Sequence, residues 1–178
     1  MNVPQPGGHL DQLIRQTRWH HAQLSSMADV KANMMLTISS VVLTLSVRYL
    51  TEPLFRPAAI VLIIFCLITV AMAAYAAMPK TSVLNGHGKP PDIKSETFNL
   101  LFFGDFSRLS YEQFREAMEE VMETPEAAYE IQIREVYTLG RYLAQKKYRF
   151  VRLAYLSFIT GLVVSMLAFF ITELILAG

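Results

Sequence analysis

The chain has 178 residues, of which 53% are hydrophobic and 17% are charged, and its formal net charge at pH 7 is +1. Soluble domains carry about 25% charged residues, so this composition favours a membrane protein. The small net charge argues against a nucleic-acid binder with a broad basic surface. The single cysteine excludes an internal disulfide and a cysteine-rich metal site.

The N-terminal segment, residues 1–31, carries a helical pattern that runs from His9 into the first apolar stretch without proline or glycine. Its repeating face is only about half apolar, so we expect this helix to pack against another helix rather than lipid. The repeating positions are Leu10, Leu13, Thr17, His20, Leu24, Met27, Lys31 and Met34.

Three stretches contain no charged residue: 16 residues at 32–47, 23 at 57–79 and 20 at 153–172. A helix needs about 20 residues to cross the hydrocarbon core of a bilayer. We therefore predict transmembrane helices at 32–50, 57–79 and 153–175. The alternative, a buried helix in a soluble bundle, is disfavoured for the short first stretch because two full-length spans lie on the same chain.

Residues 80–152 are predicted to form a helical cytoplasmic region. Its apolar patch at 98–106 is too short to span, so we expect it to plug the bundle or to lie at the level of the lipid headgroups. Ser110, with glutamine three residues later, predicts a capped helix at 111–123. Thr124 followed by Pro125 predicts the start of a second helix, which contains no further proline up to residue 175.

The predicted fold is an all-α membrane protein with three transmembrane helices and a helical cytoplasmic bundle. The helices before spans one and three extend into the cytoplasm. Eleven of the 16 Lys and Arg residues lie in 80–152 and none follows Thr172. Because cytoplasmic segments collect positive charge, the N-terminus is predicted to be cytoplasmic and the C-terminus periplasmic.

No known catalytic or phosphate-binding motif is present, and the four histidines form no metal-ligand spacing. We therefore predict that the protein is not an enzyme and has no catalytic residue, metal site or resident cofactor.

Charged residues gather where the first and third spans begin. Asp29 and Lys31 precede the first span, and Lys146, Lys147 and Arg149 precede the third. Because an unpaired charge at this depth is costly, we expect Asp29 to pair with Lys147. These charges either form a hinge or only anchor the topology, and both interpretations stay open.

Two spans carry small or hydroxyl-bearing residues at helical spacing. Ser157, Gly161 and Ser165 recur every four residues in the third span, while Ser40 and Thr44, with Thr37 nearby, form a hydroxyl stripe in the first. Such faces allow helices to approach closely in lipid. Packing within the chain and association between copies both explain them.

Three segments resemble motifs of the Pycsar transmembrane effector family. The run Met-Ala-Asp-Val-Lys-Ala-Asn-Met-Met-Leu at 27–36 resembles the family's entry into its first span. Phe-Phe-Gly-Asp-Phe at 102–106 and Tyr-Thr-Leu-Gly-Arg-Tyr-Leu-Ala-Gln-Lys-Lys-Tyr-Arg at 137–149 resemble its later motifs. The resemblance covers about residues 15–172, and its family-motif positions are Asp29, Lys31, Lys147 and Tyr148.

The resemblance implies an effector of bacterial antiphage defence. In this family a cognate pyrimidine nucleotide cyclase makes cyclic CMP or cyclic UMP on infection. This messenger activates the effector, which impairs the inner membrane and causes growth arrest or cell death, an abortive infection. The resemblance therefore implies a membrane partner, a cyclic pyrimidine nucleotide as activating ligand and a cyclase as functional partner, without nucleic acid.

The chain is too small and too helical for a β-roll nucleotide-binding domain, so a bound nucleotide must contact the predicted helices. Phosphate favours arginine and a pyrimidine ring favours an aromatic surface. Two groups offer both, although ordinary solvated arginines are an alternative for each: Arg15, Arg18 and Trp19, or Arg134, Tyr137 and Arg141.

Three spans are too few to enclose a water-filled pore, so any permeability predicts a homo-oligomer. The alternative function is a small multi-pass channel or assembly subunit with no nucleotide ligand.

Overall fold

The computed structural model describes residues 7–78, 93, 95 and 98–177, and these residues form helices and connecting turns without a strand. They fold as two compact units. We call Met1–Gln23 with Pro79–Tyr142 the polar unit, and Leu24–Met78 with Leu143–Gly178 the span unit.

Six α-helices follow one another along the chain. A 3₁₀ turn, Arg48–Thr51, follows the first, and a π-helical segment, Leu143–Tyr148, joins the last two. The α-helices are α1 Gly8–Val47, α2 Arg56–Ala77, α3 Phe103–Phe106, α4 Tyr111–Met122, α5 Pro125–Tyr142 and α6 Arg149–Ala177.

Three continuous helical stretches are long and apolar enough to cross a membrane: Gly8–Thr51, Arg56–Ala77 and Pro125–Ala177. The predicted all-α membrane fold with three spanning helices is therefore confirmed. The boundaries predicted for the individual spans and for the segments at 1–31 and 80–152 stay predictions. Residues 1–6 and 79–92 of those segments lie outside the described residues.

In the span unit, the small-residue face of α6 packs against α2. The Ser165 hydroxyl donates to the carbonyl oxygen of Ala58 at 2.9 Å, and the Ser157 hydroxyl donates to that of Phe65 at 3.3 Å. A Cβ atom on Gly161 would lie 2.4 Å from the Cβ of Phe65, so only glycine permits this approach. The face is therefore used within the chain, which was one of the two explanations left open.

One face of α1 completes this unit. Ala28 and Ala32 pack with Ala76 of α2 and Val151 of α6 in one buried cluster. One turn further along α1, Met35 packs with two more alanines of α2 and α6. Alanines at these positions let the three backbones lie close together, as expected for helices that associate in lipid.

In the polar unit, the apolar patch at 98–106 supplies the core. Phe98 and Leu100 are buried with Ala117 of α4. The expectation that this patch plugs the bundle or lies at the headgroups is therefore wrong. The physical reason is that α4 is amphipathic and offers the patch a complete apolar face.

Both predicted helix starts in the polar unit are confirmed. The Ser110 hydroxyl accepts from the backbone N–H of Gln113, whose side chain accepts from the backbone N–H of Ser110. The Thr124 hydroxyl accepts from the backbone N–H of Ala127 at 3.3 Å, and α5 begins at Pro125. Each cap satisfies backbone donors that have no partner inside the helix.

Candidate functional site

The polar unit contains a cavity of about 420 Å³ between α1 and α5. Its described lining residues are Asp11, Arg15, Arg18 and Gln132. The first three follow one another by four and three residues along α1, so they share one helix face. The volume falls in the range of about 300–1,000 Å³ that is usual for small-molecule sites.

A small apolar contact holds α1 against α5 beside this cavity. Ile14 and Tyr129 are buried against each other, and Leu10 and Val136 pack around them. Because Ile14 precedes Arg15 on the helix, its burial fixes the rotation of α1 and directs the charged face toward the cavity. The Tyr129 hydroxyl also donates to the Asp11 carboxylate at 2.7 Å, and this hydrogen bond raises the pKa of Tyr129.

The two arginines of the cavity differ in their partners. Arg18 contacts the Glu135 carboxylate through Nε at 2.9 Å and through Nη2 at 3.1 Å. Burial raises the pKa of the Glu135 carboxyl group, and the Arg18 charge acts in the opposite direction. Arg15 is exposed and has no ion pair or side-chain hydrogen bond with any residue that the structure describes. Its guanidinium is therefore the free cationic group of the cavity.

Trp19 does not line the cavity, and its side chain is 65% exposed. It lies four residues after Arg15 on α1, so the indole and that guanidinium are neighbours on the helix surface. The first group predicted from the sequence is thus assembled around one place. Arg15 and Arg18 lie in the cavity and Trp19 lies beside it.

The second predicted group is not gathered at one cavity. Arg134 lies 3.9 Å from Glu130 and lines a different cavity of about 230 Å³, together with core residues such as Phe98. Tyr137 is 62% exposed, and the Arg141 guanidinium lies 5.7 Å from the centre of its ring. These three residues therefore do not converge on one ligand-sized space.

Sequence reasoning missed two lining residues of the first cavity, Asp11 and Gln132. Asp11 had a signal, because it lies four residues before Arg15 on the same predicted helix. Gln132 had none, because only the packing of α5 on α1 brings it to the arginines.

The span unit contains a second polar cluster, centred on Lys147. Its ammonium Nζ lies 2.7 Å from both carboxylate oxygens of Asp29 and 2.8 Å from the Ser25 hydroxyl. The Lys147 side chain is 11% exposed and that of Asp29 is 40% exposed. The predicted pairing of Asp29 with Lys147 is confirmed, whereas Ser25 was not predicted.

The backbone around Lys147 departs from the regular α-helix expected between residues 125 and 175. Leu143–Tyr148 is π-helical, with one residue more per turn than an α-helix. Leu143 and Lys147 are both buried in this segment, and the Tyr148 hydroxyl donates to the carbonyl oxygen of Leu24 at 3.2 Å. π-Helical turns often occur at functional sites.

Among the described residues no group of three or more His, Cys, Asp or Glu side chains is arranged to hold a metal ion. The chemistry of the two polar clusters is therefore that of hydrogen-bond donors and fixed charges. The cavity suits a small anion with polar edges, and the Lys147 cluster joins two helices.

An all-helical chain with three membrane-spanning stretches and a separate charged cavity defines a membrane protein with a candidate ligand site. A family model described as the Pycsar effector protein domain matches residues 12–172. The chain therefore belongs to the Pycsar effector family, and this membership supports a role as an antiphage effector. Comparison with curated proteins and with solved structures gave no match.

Proposed function

We propose that this protein is a membrane effector of antiphage defence that is activated by a cyclic pyrimidine nucleotide. The ligand is cyclic CMP or cyclic UMP, made by a cognate pyrimidine nucleotide cyclase. Activation impairs the bacterial inner membrane and arrests or kills the infected cell. The observation that carries this proposal is the free guanidinium of Arg15 in a ligand-sized cavity of a Pycsar effector.

The cavity offers the interactions that a cyclic pyrimidine nucleotide needs. Arg15 pairs with the phosphate, and Arg18 adds positive charge while Glu135 fixes its orientation. The Gln132 amide both donates and accepts, as does the polar edge of a pyrimidine base. Trp19 provides an exposed ring on which the base stacks.

The Lys147 cluster is proposed to pass the signal on to the spans. Leu24 and Leu143 are the first residues of the span unit on their two helices, and the cluster follows within six residues of each. A π-helical turn has a competing α-helical register, so ligand binding can bias one of two arrangements. This assigns Asp29, Lys31, Lys147 and Tyr148 a hinge function.

The protein is proposed to lie in the bacterial inner membrane with a cytoplasmic N-terminus and a periplasmic C-terminus. This orientation places both arginines on the side where a cyclase releases its product, and it agrees with the distribution of positive charge. Three spans leave no room for a lumen in one copy, so membrane damage requires a homo-oligomer.

Dye leakage from liposomes that contain the purified protein tests the proposal. Liposomes with the cytoplasmic face exposed receive cyclic CMP, cyclic UMP, cyclic AMP or buffer. We expect leakage with one pyrimidine nucleotide only. Leakage that ignores all nucleotides would instead identify a channel without a nucleotide ligand, and absence of leakage from folded protein would overturn direct activation.

A pair of variants links leakage to the cavity. Arg15→Glu should raise the nucleotide concentration for half-maximal leakage by about tenfold or more, because a charged hydrogen bond of about 1.5–3 kcal/mol is lost. Arg115→Glu is the matched control, because Arg115 is an exposed arginine of α4 that pairs only within its own helix, with Glu119 at 3.5 Å. Equal responses of the two variants would remove the cavity from the proposal.

A further inference from the structure

The outward surfaces of two spans are apolar, as lipid contact demands. In α2, the exposed residues between Ala58 and Ala74 are all isoleucine, leucine or alanine. In α6, the exposed residues between Leu153 and Ile171 are leucine, isoleucine, valine, methionine and phenylalanine, with Thr160 as the one exception.

The outward surface of the first span is different. Asn33, Thr37, Ser40 and Thr44 follow one another by four, three and four residues, and all four are exposed. They therefore form one continuous stripe, about 16 Å long at 1.5 Å per residue. The same helix packs through its opposite face, which consists of Ala28, Ala32, Met35, Ser39 and Ser46.

This stripe keeps unused hydrogen-bonding capacity. The hydroxyls of Thr37 and Thr44 donate to the carbonyl oxygens of Asn33 and Ser40, at 3.0 Å and 2.9 Å. Both hydroxyl oxygens can still accept a hydrogen bond. The Asn33 amide and the Ser40 hydroxyl have no partner among the described residues. The hydrocarbon core offers no water to satisfy such groups.

We propose that a second copy of this chain covers the stripe, so that copies associate through the Asn33–Thr44 face of α1. Asparagine and serine each donate and accept, so the face is complementary to itself, as contact between identical copies requires. Hydrogen bonds between such side chains are a recognised source of helix association in membranes. A lipid tail satisfies none of these groups.

The inference specifies the oligomer of the proposed function and needs no nucleotide-binding site. The two ideas therefore fail separately. Nucleotide-dependent leakage without contact at this stripe would overturn only the interface, and contact without nucleotide-dependent leakage would overturn only the activation.

Cysteine cross-linking in membrane vesicles tests the interface on the full chain. Cys66 is buried, and replacing it by alanine leaves no other thiol in the sequence. In this background Ser40→Cys places a thiol on the stripe, and Val163→Cys places one on the exposed apolar face of α6 as a matched control. Oxidation is carried out with and without cyclic CMP or cyclic UMP.

We expect at least about fivefold more disulfide-linked dimer from Ser40→Cys than from Val163→Cys in one of these conditions, the ratio that about 1 kcal/mol provides. Equal yields in every condition, or more dimer from Val163→Cys, would overturn the proposal. Because both thiols replace exposed residues, neither variant disturbs the packed core.

Energy transfer between differently labelled copies in liposomes gives a second readout without an added cysteine. Replacing the four stripe residues by N33L, T37V, S40A and T44V should reduce transfer to the level set by random encounters. Thr160→Val, which removes the exposed hydroxyl of α6, should leave it unchanged. Undiminished transfer in the fourfold variant would contradict the proposal, and a thermal melt in detergent confirms that each variant is folded.

Discussion

The small and hydroxyl-bearing faces of α1 and α6 look alike in sequence and differ in the structure. Ser157, Gly161 and Ser165 of α6 pack against α2 and donate to its carbonyl oxygens. The stripe of α1 through Ser40 faces outward and meets no other part of the described chain. A periodic small polar face therefore identifies a contact surface, while its location decides whether the contact lies within one copy or between copies.

The largest expected effect comes from filling the close contact of α6 with α2. Gly161→Leu adds a side chain whose Cβ would lie 2.4 Å from the Cβ of Phe65, so the two helices must separate. We expect a loss of about 3 kcal/mol or more in unfolding free energy, at the upper end for overpacking. Thermal unfolding in detergent measures it, with Thr160→Leu as control. Similar midpoints for both variants would show that this contact is not tight.

The buried charge should have the next largest effect. Lys147→Met leaves Asp29 near the spans without its partner. Because the Asp29 side chain is 40% exposed, the loss should be about 1–3 kcal/mol, below that for a fully buried pair.

The double variant Lys147→Met with Asp29→Asn should recover part of that stability, because no unpaired charge remains. Denaturant unfolding of the two single variants and the double variant measures the coupling between the residues. Additive losses would contradict a direct interaction.

A smaller effect is expected from the hydroxyl of α6 that bonds to α2. Ser165→Ala leaves the carbonyl oxygen of Ala58 without this donor, at a cost of about 1 kcal/mol in unfolding free energy. The comparison of midpoints with the unmodified protein at low protein-to-detergent ratio reports on single copies. An unchanged midpoint would mean that this hydrogen bond contributes nothing.

The smallest effect on single copies is expected from the equivalent change on α1. Ser40→Ala should alter the unfolding free energy by less than about 0.5 kcal/mol, because Ser40 is exposed. The same variant should lower energy transfer between copies in liposomes. A large loss of stability in dilute detergent, equal to that of Ser165→Ala, would erase the contrast between the two faces.

Much of the fold was predictable because its signals are local. Three charge-free stretches predict three spanning helices, since lipid tolerates little else. Ser110 and Thr124 predict helix starts, since a cap satisfies donors within a few residues of itself. The pairing of Asp29 with Lys147 was also predictable, because an unpaired charge beside lipid is costly.

The candidate site was predictable only in part. Arg15 and Arg18 stand out in sequence because they share a helix face, but Gln132 joins them only through the packing of α5. The second predicted group, which includes Arg134 and Tyr137, does not converge, since its members point to different surroundings along α5. Neither fact has a local signal.

By itself the sequence determined the membrane class, the number of spans, the helix caps and one ion pair. Each of these depends on hydrophobicity, charge or hydrogen bonds that act over a few residues. Only the tertiary structure decided that the face through Gly161 is buried, that the stripe through Ser40 is exposed, and that a π-helical turn carries Lys147. The physical reason is that burial is a property of neighbours, and residues far apart along the chain become neighbours only when the helices pack.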